Sequence, residues 1–87
     1  MTTRSAMDAW QHRTYQVVGF DRLRFVSDVA EAIPESATCR LEGLNLAVDG
    51  VRVSGWLAVC TPDAQQLQHI GQRLRSVRGM VSVTEQP

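Results

Sequence analysis

The sequence predicts an α+β fold in which two amphipathic helices cover one face of a four-stranded antiparallel sheet. Three observations support this fold: runs of alternating apolar residues, two stretches with apolar residues at helical spacing, and an Asp49-Gly50 pair between two strand-like runs. The chain has 87 residues, of which 44% are hydrophobic and 21% charged. This composition is typical of one globular domain, which we expect over residues 13–87, after a polar lead-in over residues 1–12.

The first strand and the first helix are predicted on either side of a short turn. Residues 15–20 alternate, with Tyr15 on the inward face. We expect Asp21 to cap a helix over residues 22–33, because its carboxylate can accept hydrogen bonds from the free N–H groups of the first turn. Apolar side chains recur in this helix at spacings of three and four, and Pro34 ends it.

The middle of the chain is predicted to form a hairpin. A two-residue turn at Asp49-Gly50 would pair Val48 with Val51. The alternation of apolar residues reverses before Gly43, and one extra residue at Glu42-Gly43 restores it. We therefore predict a β-bulge at this point, which would place Leu41 beside Leu57.

The two cysteines and the two histidines carry no clear chemical signal. In the predicted register Cys39 and Cys60 lie on opposite faces, so we expect two thiols rather than a disulfide, with Cys60 the more exposed. His12 and His69 have no potential metal ligands at useful spacing along the sequence. We therefore expect surface histidines, no metal site and no cofactor.

The remaining residues predict a second helix and a short last strand. Thr61-Pro62-Asp63 suits a helix start, and Gly79 suits the left-handed position after a helix. Val81 and Val83 are expected to point inward from the last strand. The element order is thus β-α-β-β-α-β, which with right-handed crossovers gives the ferredoxin-like plait. Trp56 would lie on the uncovered sheet face, where it would either anchor an interface or be covered by the N-terminal segment that contains Trp10.

Two segments resemble the ends of an ACT domain. The run Gly-Phe-Asp-Arg-Leu-Arg-Phe-Val-Ser-Asp-Val over residues 19–29 resembles the family's Asp-Arg-Pro-Gly-Leu-Leu-x-Asp-Ile, and residues 74–83 look like its closing Leu-x-x-Ile-x-Gly-Val-x-x-Val. The resemblance extends over residues 13–85 and is nearest to the C-terminal regulatory ACT domains of RelA/SpoT-type (p)ppGpp synthetase-hydrolases. It implies a cytoplasmic, non-catalytic regulatory and oligomerisation module of the stringent response, sensing an amino acid or another small effector for such an enzyme.

The resemblance also implies where an effector would bind. ACT domains commonly bind amino acids between two copies, at the loop after the first strand, where the N–H groups of a helix start suit a carboxylate. The candidate residues are Gly19, Phe20, Asp21, Arg22, Leu23 and Arg24. Asn45 is a further candidate, which either faces a ligand across an interface or is simply an outward residue of its strand. The structural alternative for Asp21 and Arg22 is a helix cap followed by a solvated arginine. Leu23 and Arg24 replace the usual Pro and Gly, and Arg24 either clamps a carboxylate or fills the space that glycine leaves. Weak or absent amino-acid binding is therefore expected.

Two other functions fit a plait of this size. An acylphosphatase-type enzyme would use an arginine in the loop after the first strand, which Arg22 or Arg24 would imitate, but residues 55–59 lack the Asn it needs. An RNA-binding plait would display Phe20 and Trp56, but nine acidic residues balance nine basic ones.

The expected partners are therefore protein and small molecule. We expect a homo-oligomer, most simply a dimer paired through the second strand at the sheet edge, that works with a parent or partner enzyme. Nucleic acid is disfavoured by the charge balance. No apolar run is long enough to span a membrane, and the residues before Trp10 lack the apolar core of a signal peptide.

Overall fold

The predicted plait is present in a computed structural model, which describes residues 10–34, 36 and 38–86. The elements are β1 Gln11–Phe20, α1 Phe25–Glu31, β2 Arg40–Asp49, β3 Arg52–Thr61, α2 Ala64–Arg75 and β4 Met80–Gln86. The strands are antiparallel in the order β2-β3-β1-β4, so β3 and β1 are central and β2 and β4 are the edges. The predicted lead-in falls largely on residues 1–9, outside the described residues, and β1 already begins at residue 11. Neither α1 nor α2 has the length and apolar character needed to cross a bilayer.

The core lies between the two helices and one face of the sheet. Tyr15 of β1 is fully buried there, and its hydroxyl donates a hydrogen bond of 2.6 Å to the carbonyl oxygen of Leu67 in α2. This bond ties a central strand to the longer helix. The fully buried side chains of this core, besides Tyr15 and Leu67, are those of Phe25, Val29, Cys39, Val53, Leu57, Val59, Ile70 and Leu74.

The β2–β3 turn lies one residue later than predicted. Asp49 pairs with Arg52, so the loop residues are Gly50 and Val51 rather than Asp49 and Gly50. Gly50 has a φ of 65°. Glycine thus occupies the first central position, where type II′ hairpin turns require it, and Asp49 remains in the strand.

The hairpin keeps the predicted faces although its register differs by two residues. Val48 lies opposite Val53 instead of Val51, and a shift by an even number leaves each side chain on its face. The predicted bulge is confirmed, because the register shifts between Leu41 and Gly43. Leu41 consequently lies opposite Val59 rather than Leu57.

The first helix is shorter than predicted. It begins at Phe25 rather than at residue 22, because Arg24 has left-handed backbone angles of φ 68° and ψ 11°. Arg24 is therefore the N-cap residue, without a capping side-chain bond, and Asp21 is not the cap. In the second helix the cap is Asp63, whose carboxylate accepts from the N–H of Gln65 at 2.9 Å.

The inward residues of β4 are Met80 and Val83, so the expectation for Val81 is wrong. The pairing with β1 shifts register between Val18 and Gly19, which leaves Val81 as an extra residue that is 57% exposed. Met80 and Val83 pack against the core instead.

The helix-free face of the sheet is covered at one end. Trp56 is 41% exposed at its centre. At the covered end Cys60 is fully buried, so the expectation that it is the more exposed thiol is wrong. Both Cys60 and Cys39 are buried, and neither is in a disulfide. Arg40 pairs with Cys60, and its guanidinium lies 6.0 Å from the centre of the Trp10 ring, so these side chains cover that end.

Tyr15 provides a spectroscopic test of the core. It is the one tyrosine of the sequence, so phenolate absorbance reports Tyr15 alone. Burial, with a smaller contribution from Glu85, raises the pKa of Tyr15 to about 12. Folding therefore favours the protonated phenol. The resulting stabilisation is complete below pH ~10 and is lost as the pH rises through about 12.

We expect a phenolate titration midpoint near pH 12 in the folded protein. Replacing Tyr15→Phe should lower the free energy of unfolding by about 1 kcal/mol at neutral pH, because the bond to Leu67 is lost. The same variant should decline less in stability than the wild type between pH ~10 and ~12, measured by urea unfolding, and the buried Cys60 thiol, whose pKa is also raised, should account for part of the decline that remains. A midpoint near 10 in the folded wild type would contradict the buried placement.

Candidate functional site

The candidate loop begins where β1 passes beneath the first helix. Gly19 is buried there, and a Cβ atom on it would lie 2.7 Å from Cε1 of Phe25 and 3.0 Å from the carbonyl oxygen of Gly79. The Phe25 ring is buried and has no space to withdraw. The missing side chain of Gly19 therefore allows Phe25 to lie on the strand, which fixes the start of α1.

Arg22 holds the loop in place through three hydrogen bonds. Its Nε donates to the carbonyl oxygen of Arg78 at 2.6 Å, its Nη1 to the carbonyl oxygen of Leu23 at 2.8 Å, and its Nη2 to Oδ2 of Asp28 at 2.8 Å. The guanidinium also lies 5.8 Å from the centre of the Phe25 ring. The alternative of a solvated arginine is therefore wrong, since the side chain links the loop to α1 and to the α2–β4 turn.

The backbone of the loop is held by the two neighbouring turns. The N–H of Phe20 donates to the carbonyl oxygen of Gly79 at 2.9 Å, and the N–H of Asp21 donates to that of Val51 at 2.8 Å. Three apolar side chains at this end of the sheet are accessible: Phe20 is 56%, Leu23 88% and Val51 74% exposed. The loop is thus a fixed backbone that presents an apolar surface to its surroundings.

Arg24 occupies a position that suits glycine for a reason of backbone geometry. Its φ of 68° lies in the left-handed region, which disfavours residues that carry a Cβ atom. The side chain is 64% exposed, and its Nη2 lies 3.7 Å from Oε1 of Glu31. An exposed ion pair at this distance contributes little to stability. The guanidinium is therefore accessible to a ligand at the loop.

Asn45 and Trp56 lie apart from the loop within one chain. They are cross-strand partners on the helix-free face, and Trp56 also pairs with Gln16. Gln16 precedes Phe20 by four residues, which corresponds to roughly 13 Å along the strand. The Trp56 ring lies over Gly43, where a Cβ atom would be 3.0 Å from Cζ3 of the ring.

Two further features were missed from the sequence. A groove of about 520 Å³ lies between α1 and α2, with Asp28 and Glu31 on one wall and Arg73 on the other. At the opposite end of the sheet from the loop, His12 Nδ1 lies 2.8 Å from Oε1 of Glu42, beside Cys60. The expectation that His12 has no potential metal ligands nearby is therefore wrong, because strand pairing brings together residues that are distant in sequence.

The described architecture defines a ferredoxin-like α+β plait, and solved structures specify the ACT type. The crystal structure of the ACT domain from the GTP pyrophosphokinase of Chlorobium tepidum has a TM-score of 0.77 and 17% identity to this chain, covering 88% of this chain and 99% of that one. The solution NMR structure of that domain has a TM-score of 0.73 and 17% identity to this chain, covering 90% of this chain and 88% of that one. An uncharacterized protein of Thermotoga maritima has a TM-score of 0.70 and 16% identity, covering 90% of this chain and 96% of that one.

These neighbours confirm the ACT fold predicted from the sequence. No family model matches the chain, and no curated protein matches its sequence.

The backbone of Arg24 generates a stability prediction. Replacing Arg24→Gly should raise the free energy of unfolding by about 1 kcal/mol, because glycine adopts a positive φ without steric cost. The matched control is Arg24→Ala, which also removes the ion pair with Glu31 but keeps a Cβ atom, and it should give no gain. Urea unfolding measures both. An equal gain in the two variants would contradict the left-handed backbone and would instead implicate the arginine side chain.

Proposed function

We propose that this chain is a non-catalytic regulatory module of the ACT type, which pairs with a second copy along β2 and receives a small effector at the β1–α1 loop. The shared fold with the ACT domain of a GTP pyrophosphokinase supports a regulatory role toward an enzyme of the (p)ppGpp synthetase-hydrolase class. The incomplete cover of β2 is the observation that carries the pairing.

The edge strand β2 has more apolar surface than α1 can cover. The helix has seven residues and is about 10 Å long, whereas the ten residues of β2 extend over about 33 Å. Leu41, Leu44 and Leu46 are only half-buried against the core, and Val48 is 56% exposed. A second copy paired along β2 would continue the sheet and cover these side chains.

The other edge strand is less suited to pairing. β4 has seven residues, and its register with β1 is broken by the extra residue Val81, which distorts the ladder. The residues that follow are mostly polar and exposed, including Ser82, Thr84 and Glu85. This contrast favours β2 as the edge that pairs.

Pairing along β2 would also bring the two α1 helices side by side, because α1 connects β1 to β2 across the sheet. Val26 on α1 is 43% exposed and supplies apolar surface for that contact. A small carboxylate such as an amino acid would approach the backbone N–H groups before α1, where the bulk of the Arg24 side chain limits its access. The effector would act through a difference in its affinity for two arrangements of the pair.

The exposed centre of the helix-free face supplies a second contact surface, for the parent or partner enzyme. Trp56 is 41% exposed there, and a large aromatic side chain is a common anchor in protein interfaces.

The enzyme alternative receives less support from the loop. An acylphosphatase-type site needs an arginine directed at the phosphate and an Asn. Arg22 donates its hydrogen bonds to protein oxygens of Arg78, Leu23 and Asp28, so only the exposed Arg24 could take the arginine's role. Residues 55–59 lack the Asn. The RNA alternative does place Phe20 and Trp56 on central strands, yet the net charge of zero supplies no attraction for phosphates.

The pairing is tested by matched substitutions on the two edge strands. Sedimentation equilibrium of the wild type should show a dimer at micromolar-to-millimolar concentration. Replacing Ala47→Lys in β2 should raise the dimer Kd by roughly tenfold or more, because a lysine on an edge strand opposes the addition of another strand. The control Thr84→Lys places the same charge on β4 and should leave the Kd unchanged. A wild type that stays monomeric, or equal effects of both variants, would contradict pairing along β2.

The effector site is tested by isothermal titration calorimetry against the twenty amino acids. The wild type should bind weakly or not at all, and Arg24→Gly should lower the Kd by at least about tenfold, because glycine lets a carboxylate approach the backbone N–H groups. Arg24→Ala separates the two roles of the side chain: it removes the guanidinium but keeps the Cβ atom. If Arg24→Gly leaves binding unchanged, the bulk of Arg24 is not the obstacle.

A further inference from the structure

Three side chains of the metal-ligating kind, one from each of three strands, meet on the helix-free face of the sheet. They are His12 of β1, Glu42 of β2 and Cys60 of β3, and their ligand atoms lie within 4.8 Å of one another. We propose that this cluster, hereafter the three-strand cluster, binds a divalent transition-metal ion of the zinc class.

The strand pairing places these residues together. His12 and Cys60 are direct cross-strand partners in the β1–β3 ladder. Glu42 is the extra residue of the β2 bulge, between Leu41 and Gly43, and its carboxylate reaches over β3 to accept from His12. Bulges change the direction of a side chain, and here the bulge lets a residue of the edge strand contact one from two strands away.

The set of donor atoms suits zinc. An imidazole nitrogen, a carboxylate oxygen and a thiolate sulfur are the three zinc ligands that proteins use, whereas Mg²⁺ and Ca²⁺ prefer oxygen alone. Bond lengths of about 2.0–2.3 Å at tetrahedral angles place zinc ligands roughly 3.4–3.7 Å apart. The His12–Glu42 distance of 2.8 Å would open slightly. Since the ligand atoms lie within 4.8 Å of one another, Cys60 would approach by at most about 1.4 Å.

Burial and charge in the three-strand cluster are compatible with an ion. Cys60 is fully buried, while the side chains of His12 and Glu42 are 56% and 38% exposed, so an ion enters from the solvent side and keeps one position for water. Burial, and next the Glu42 carboxylate, raise the pKa of the Cys60 thiol, whereas Arg40 acts in the opposite direction. A metal ion must therefore displace a proton from Cys60 when it binds.

On metal binding the Cys60 S–H bond breaks, a sulfur–metal bond forms, and the proton leaves to solvent. The thiolate and the Glu42 carboxylate then balance the two charges of the ion. A bound ion would fasten the edge strand β2 to the central strands at the end opposite the effector loop, and it would stabilise the folded chain by mass action.

The chain supplies its own controls, since it has two histidines and two cysteines. Untagged protein is titrated with Zn²⁺ by calorimetry and with Co²⁺ by absorbance. Wild type should give the thiolate-to-cobalt charge-transfer band and bind Zn²⁺ far more tightly than Mg²⁺. His12→Ala should weaken Zn²⁺ binding by at least about tenfold, since even the loss of an outer-sphere partner typically costs that much. His69→Ala should leave the binding unchanged.

Cys60→Ser should abolish the charge-transfer band, and Cys39→Ala should retain it. Because His12 is exposed, its replacement does not depend on the core and remains informative if either cysteine variant fails to fold. The proposal is overturned if the cobalt spectrum of the wild type lacks the thiolate band. It is equally overturned if His12→Ala and His69→Ala bind Zn²⁺ alike, or if Mg²⁺ binds as tightly as Zn²⁺.

Discussion

The fold depends on a single helix layer that is shorter than the sheet it covers. Helices of seven and twelve residues lie on one face of a sheet whose three longest strands have ten residues each. The layer buries the inward side chains at the centre of β1 and β3 but leaves the leucines of β2 half-buried. The other face of the sheet has side-chain cover at one end. For a chain of this size, an added copy along β2 would contribute apolar burial that the single domain lacks. The incomplete cover therefore connects the architecture to the proposed regulatory pairing.

The small number of buried side chains in α1 also determines how the β1–α1 loop is held. α1 has two fully buried residues, Phe25 and Val29, so its position depends on the contact of the Phe25 ring with the bare backbone of Gly19. Arg22 then joins the loop to α1 and to the α2–β4 turn, and Arg24, with its left-handed backbone, is the N-cap residue of the helix. The β1–α1 loop therefore has a fixed backbone that carries the exposed side chain of Arg24.

The element order and the face of each strand residue could be predicted because both follow from local periodicity. The turn was misplaced by one residue because Asp49 and Gly50 both suit turns, and only the backbone shows that Gly50 takes the first central position. The predicted start of α1 was wrong because Arg24 has a left-handed backbone. Nothing in the sequence indicates that conformation, apart from the glycine that ACT domains usually have at this position. The meeting of His12 with Cys60 depends on the pairing of β1 with β3, which residue spacing does not reveal.

The most direct test of the central claim is amide hydrogen exchange at several protein concentrations, compared between the two edge strands. Pairing along β2 predicts that amides within Arg40–Asp49 exchange more slowly as concentration rises, because N–H groups at the edge become hydrogen-bonded to the second copy. Amides within Met80–Gln86 should exchange at a rate that does not depend on concentration. Equal, concentration-independent exchange at both edges would contradict the claim that the uncovered edge of β2 is where two copies meet.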